Sequence, residues 1–206
     1  MTKPAFNLDF TDLAQTADTH GRGDCQWGWY DRIREPFAGL TLLDVGTGIS
    51  RIKERMPECQ VTTHEACADL PADRHGDLAL IHSNIFNAVT AFDVIEHVVE
   101  YGRLIHHLAR IANRYVFVTT PGAEASQGSP FHFHELHPWE LVQTFEAAGM
   151  HVRRAWATQW DGAARFEKGR TCNVLKASHE VTRGDLLTVP NLHPVGVLFE
   201  HGGSWA

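Results

Sequence analysis

The chain has 206 residues, 43% of them hydrophobic, with 18 basic against 25 acidic side chains and a formal charge of −7. That length suits one well-buried domain, and no apolar run approaches the roughly 20 residues that span a bilayer. The negative charge disfavours a general polyanion-binding surface, so nucleic acid is an unfavoured partner. Cys25, Cys59, Cys67 and Cys172 have neither zinc-knuckle nor redox-pair spacing and are expected as reduced thiols. Met1-Thr2-Lys3-Pro4 leads into a mixed polar segment without the apolar core of a secretory signal, so a cytoplasmic location is expected.

In chain order, residues 1–36 read as a leader that ends in a short helix near Pro36. Its aromatic cluster, Trp27, Trp29 and Tyr30, is expected to pack that helix against a sheet. Next comes Leu42-Leu43-Asp44-Val45-Gly46-Thr47-Gly48, an apolar run closing on a carboxylate and two glycines. This is how a buried parallel strand meets a nucleotide-sized ligand: the glycines let backbone approach closely, and Asp44 can accept hydrogen bonds at the strand mouth. Gln60 to His64 predicts a second strand ending at Glu65, which lies 19 residues beyond Gly46. A strand-end acid at about that distance meets ribose hydroxyls in βαβ nucleotide sites.

Further on, Gly76-Asp77-Leu78 is read as the end of a short third strand, and Ala88 to Val94 as a buried fourth. Leu104, Ile105, Leu108, Ile111 and Ala112 recur at helical spacing and predict a helix from about Tyr101 to Ala112. Tyr115 to Thr120, β-branched and aromatic, predicts a strand stopped by Pro121-Gly122. A long loop carrying His132 and His134 follows, then a helix opened by Pro138 and closed by Gly149. Val152 to Trp156 and Thr171 to Ala177 are expected as the last two strands, and residues 181–206 as an irregular extension on the core.

Two glycine patterns compete for the turn after the first strand. The dinucleotide fingerprint needs a third glycine where Arg51 stands. The other pattern puts an acid two residues before the first glycine, and Asp44 meets it; its usual third glycine falls on Ser50. With the acid at Glu65, the block Asp93-Val94-Ile95-Glu96-His97-Val98 and the strand end Phe117-Val118-Thr119-Thr120-Pro121, residues 37–180 resemble the class I S-adenosylmethionine-dependent methyltransferases.

The resemblance implies an α/β, Rossmann-like fold: an open, mostly parallel twisted sheet of about seven strands with helices on both faces. It also implies S-adenosylmethionine as cofactor. Asp44, Gly46, Thr47 and Gly48 would line its methionine part, Glu65 would hold the ribose hydroxyls, Asp77 and the Leu78 backbone would meet adenine, and Phe92 backbone would pass the methionine end.

On the acceptor side, Glu96 and His97 follow the fourth strand and the 132–134 loop follows the fifth, so they are expected at one sheet edge. The main reading assigns Glu96, His97 and His134 to catalysis, with His97 or His134 taking a proton from a hydroxyl of a small molecule or saccharide. It assigns no metal, no membrane and no oligomeric state. In an alternative, Asp93, Glu96 and His97, at i, i+3 and i+4, join His134 on a divalent metal. That set resembles small-RNA 3′-terminal ribose 2′-O-methyltransferases. A third reading is a module that binds cofactor or a partner without catalysis.

Overall fold

The computed structural model describes residues 22–48, 51–121, 132–159, 179–189 and 192–202. Its strands form one eight-stranded sheet in the order β3-β2-β1-β4-β5-β8-β6-β7. The parallel half comprises β1 (Thr41–Val45), β2 (Gln60–Glu65), β3 (Arg74–His75), β4 (Phe86–Phe92) and β5 (Ala112–Thr120). Beyond it, β8 (Leu192–His201) runs antiparallel to both β5 and β6 (Met150–Gln159), and β7 (His179–Val181) is antiparallel to β6. The helices are α1 (Arg22–Phe37), α2 (Ile52–Arg55), α3 (Tyr101–Ile111), α4 (Pro138–Ala147) and α5 (Arg183–Thr188).

Strand side chains alternate between two cores, as the two-residue period of a pleated strand requires. Leu42, Ala88, Phe92, Tyr115 and Phe117 join Trp29, Tyr30, Ile33 and Phe37 of α1. Leu43, Val89, Ala91, Val116 and Val118 join the apolar stripes of α3 and α4 and Leu186 of α5. Trp29 lies 6.1 Å from Phe117 between ring centres, and Tyr30 meets Phe92 edge-on at 5.1 Å. These two aromatics of the leader cluster therefore pack the sheet. Gly196 of β8 makes room for Trp29, because a Cβ there would come within 2.5 Å of the indole.

Three expectations need correction. The third strand ends at His75: Gly76 has φ +108°, and Asp77 then accepts the Ala79 N–H at 2.8 Å, capping a 3₁₀ turn over Leu78–Leu80. The fourth strand stops at Phe92, because Asp93 turns the chain at φ +51°. The extension past Val181 is not irregular but supplies α5 and β8, the latter inserted in mid-sheet. The strand expected at Thr171 to Ala177 lies outside the described residues. Among the described residues, no helix is long and apolar enough to cross a membrane.

Sheet order reverses at β1 and β4, so the crevice beyond their C-terminal ends is where an open α/β sheet takes a ligand.

Candidate active site

At that crevice, Asp44 is 1% exposed and accepts the Thr90 hydroxyl of β4 at 2.6 Å. The two residues are paired in register across the strands, so the sheet itself aims the carboxylate. Directly after it, Gly46 and Gly48 turn the chain with φ +68° and +50°, and the Gly46 and Thr47 N–H groups both donate to the His64 carbonyl, at 3.0 and 3.3 Å. A Cβ at Gly46 would sit 2.6 Å from Val94 Cγ2. The glycine turn is thus pressed against the segment leaving β4, and only glycine fits both the angle and the space. The Thr47 hydroxyl is buried there without a hydrogen-bond partner.

Glu65 closes β2 beside the same turn. It is buried, and its Oε1 accepts the Gly48 N–H at 2.5 Å. Burial raises its pKa, while N–H donors from Gly48 and Ala66 oppose that rise. Two carboxylate oxygens offer about four acceptor positions, so these bonds leave capacity for hydroxyl donors. A cleft of about 520 Å³ adjoins the turn, lined in part by Thr47, Gly48, Arg51, Thr63 and Asp73.

Asp77 stands past β3 on the surface, with its carboxylate 3.3 Å from Arg103 and its pKa lowered chiefly by the Ala79 N–H. Leu78 is buried, and its carbonyl accepts Arg110 Nη2 at 2.7 Å, which ties this turn to α3. The Phe92 ring points into the aromatic core against Tyr30 and Phe117, leaving its backbone as the part at the mouth.

Across the crevice, the Asp93 N–H donates to the Thr119 hydroxyl at 3.0 Å, and that hydroxyl donates to Asp93 Oδ1 at 2.8 Å. These two hydrogen bonds to β5 hold Asp93 in a left-handed backbone conformation that residues other than glycine rarely adopt. It launches the 3₁₀ turn Ile95–His97. The Glu96 carbonyl accepts the Phe133 and His134 N–H groups at 2.8 and 3.3 Å, pinning the downstream loop onto that turn.

Glu96 is 1% exposed, and the His97 ring meets His132 edge-on with centres 4.8 Å apart. One donor atom each from Glu96, His97 and His132 lies within 4.8 Å of the others. His134 is directed elsewhere: its Nε2 lies 2.8 Å from the Val99 carbonyl and its ring packs on Tyr101. The set with Asp93 and His134 is therefore not the one that converges. His132 takes the histidine's place. The pair His132 and His134 in one loop was the available signal, but a bend at Phe133 separates the two rings, sending only His132 to His97.

No protein-family model and no curated protein matches the sequence. Solved structures do match in three dimensions. A Thermotoga maritima S-adenosylmethionine-dependent methyltransferase superposes with a TM-score of 0.64 at 12% identity, covering 94% of this chain and 96% of that one. Magnesium protoporphyrin IX methyltransferase of Synechocystis, solved with S-adenosylmethionine bound, gives 0.56 at 14% identity over 95% and 86% of the two chains. The chain has the class I methyltransferase fold. The [4+2]-cyclase SpnF also shares this methyltransferase fold, with a TM-score of 0.52 at 13% identity over 91% and 80%. Identities this low carry the fold alone, so activity rests on the site.

Proposed function

We propose that the chain is an S-adenosylmethionine-dependent methyltransferase whose acceptor is a hydroxyl of a small molecule or saccharide. The observation that carries this reading is the glycine turn flanked by two buried acids, Asp44 and Glu65, at the C-terminal sheet edge. The cofactor's demands fit what stands there. Beside Gly48 nothing lies within 4 Å of where a Cβ would stand, which leaves room for a ligand, and the buried Thr47 hydroxyl has a hydrogen bond to give.

In this reading Asp44 and the turn from Gly46 to Gly48 hold the methionine end, with Phe92 backbone alongside. Glu65 accepts from the ribose hydroxyls, and Asp77 with the Leu78 backbone meets the adenine edge. When bound, S-adenosylmethionine supplies a methyl on a sulfonium: a sulfur–carbon bond breaks, sulfur keeps the electron pair, and a carbon–oxygen bond forms. The protein's share is alignment of the acceptor and removal of its proton. Glu96, His97 and His132 form the group nearest to hand for that proton, and in the metal-free chain an imidazole accepts it. His134 acts as a positioning residue, its ring holding the loop to Val99.

Calorimetric titration with S-adenosylmethionine, run beside Asp44→Ala and Glu65→Ala proteins, tests the reading. Binding lost in both variants supports it; a folded wild type that binds none overturns it. A second reading draws on the likeness to a cyclase: cofactor is held without methyl transfer. Cofactor binding with no methylated product across a panel of hydroxyl acceptors would favour that alternative.

A further inference from the structure

We propose that Glu96, His97 and His132 form a binding site for a first-row divalent transition-metal ion on the acceptor side of the mouth. Their donor atoms converge within 4.8 Å although His132 is far removed in sequence. Two imidazole nitrogens and one carboxylate oxygen suit zinc, manganese or iron and leave coordination positions open. Magnesium and calcium prefer oxygen ligands throughout and fit less well. Donors around a tetrahedral ion with bonds of about 2.1 Å sit about 3.4 Å apart. Side-chain movement of about an ångström therefore closes the set around an ion.

The backbone fixes the two elements that carry these donors. Thr119 holds Asp93 and with it the start of the 95–97 turn, while the Glu96 carbonyl takes two N–H groups from the 133–134 segment. The ligands are thus held by main chain and neighbouring strand, as a precise site requires. Burial adds a reason for a cation. Glu96 is 1% exposed, and a carboxylate shielded from water is favoured as an anion when positive charge lies beside it.

The inference rests on the methyl-transfer reading only for the use made of the ion. A cation there holds the acceptor oxygen and lowers its pKa, so that its O–H bond breaks with the proton leaving to solvent rather than to an imidazole. The imidazoles then serve as ligands.

The test is titration of the full chain with manganese(II) and zinc(II) chloride, by calorimetry and by the electron paramagnetic resonance of bound manganese. His97→Ala, His132→Ala and Glu96→Gln proteins are run alongside, with His82→Ala, which alters an exposed histidine outside the cluster, as the control. The expected result is a single bound ion, with affinity lowered about tenfold or more by the first three changes and left within about twofold by the last. Glu96→Gln alters a buried residue, so circular dichroism checks its folding; the half-buried His132 carries the test if that variant fails. No binding by the wild type, or binding indifferent to His132→Ala, overturns the site. S-adenosylmethionine affinity in the same samples separates the two claims. Cofactor bound without metal overturns only this inference, whereas metal bound without cofactor overturns the methyl-transfer reading and leaves the ion site standing.

Discussion

The two sides of the mouth are built by different means. On the β1–β2 side, the determinants are local: a carboxylate, two glycines and a second carboxylate lie at the ends of adjacent parallel strands, and backbone register brings them together. On the β4–β5 side, the converging side chains of Glu96, His97 and His132 come from a 3₁₀ turn and a loop joined by hydrogen bonds to the Glu96 carbonyl. The first side is a surface shaped by main chain and is suited to a fixed ligand. The second is a cluster of side chains on irregular segments, which is where specificity and chemistry vary within a fold.

The largest effect is expected where the two sides touch. Gly46→Ala forces a Cβ to within 2.6 Å of Val94 at a φ of +68°, and should cost about 1–3 kcal/mol of stability from backbone strain alone. S-adenosylmethionine binding should fall below detection, as calorimetry and thermal unfolding would register together. Binding that survives in a protein of wild-type stability would mean the turn is looser than its packing implies.

Next in size, changes on the two sides should separate binding from turnover. Glu65→Ala is expected to weaken cofactor binding by about 2 kcal/mol or more, having removed an acceptor of charged hydrogen bonds. His97→Ala should leave that affinity unchanged and lower kcat by about a hundredfold or more. Equal losses of affinity in both proteins would erase the distinction between the sides.

A pH series sharpens the β2 end. Burial lowers the pKa of His64, with a hydrogen bond to the Gly76 backbone opposing, so its folded value lies below the ordinary 6.5. The unfolded chain then binds more protons between the two values, and stability drops as pH falls below about 6.5. His64→Phe should flatten the curve of unfolding free energy between pH 7 and 5. A curve of unchanged slope would assign the loss to other groups.

The smallest effect belongs to the rim. Asp73 has its pKa lowered to about 2, first by Lys53 and then by the Thr63 N–H. Its contribution is present above the ordinary value of 3.8 and fades as pH falls from there towards 2. Because both side chains of the pair are substantially exposed, Lys53→Met should change stability at neutral pH by less than about 1 kcal/mol. A larger change in thermal unfolding would make this ion pair part of the cleft's architecture rather than its edge.

The glycine turn, Asp44 and Glu65 were readable from sequence because all their information is local: an apolar run sets the strand, positive φ demands glycine, and a strand-end acid follows at a fixed interval. The apolar stripe of α3 was readable for the same reason. The β4–β5 side was only half readable. Sequence marked Glu96, His97 and a pair of downstream histidines, but which imidazole turns inward depends on Val99 and Tyr101 capturing His134. The 3₁₀ turn after β3 was missed because a two-residue strand leaves almost no periodicity to detect.

By itself, then, the sequence determined β1, β2, β4 and β5 of the parallel half, the strand-end acids and the turn between them. Tertiary structure decided β8. Pro194 and Gly196 speak against a central strand, since one lacks an N–H and the other lacks a side chain to pack. Yet the pairing of β8 with β6 is irregular around Pro194, between Val195 and Leu192, and Gly196 is where Trp29 of α1 needs room. Phe199 of the same strand stacks on Phe145 of α4 at 4.1 Å. Partners more than 30 residues away supply the reason for each of these residues, which is why no local pattern announces the strand.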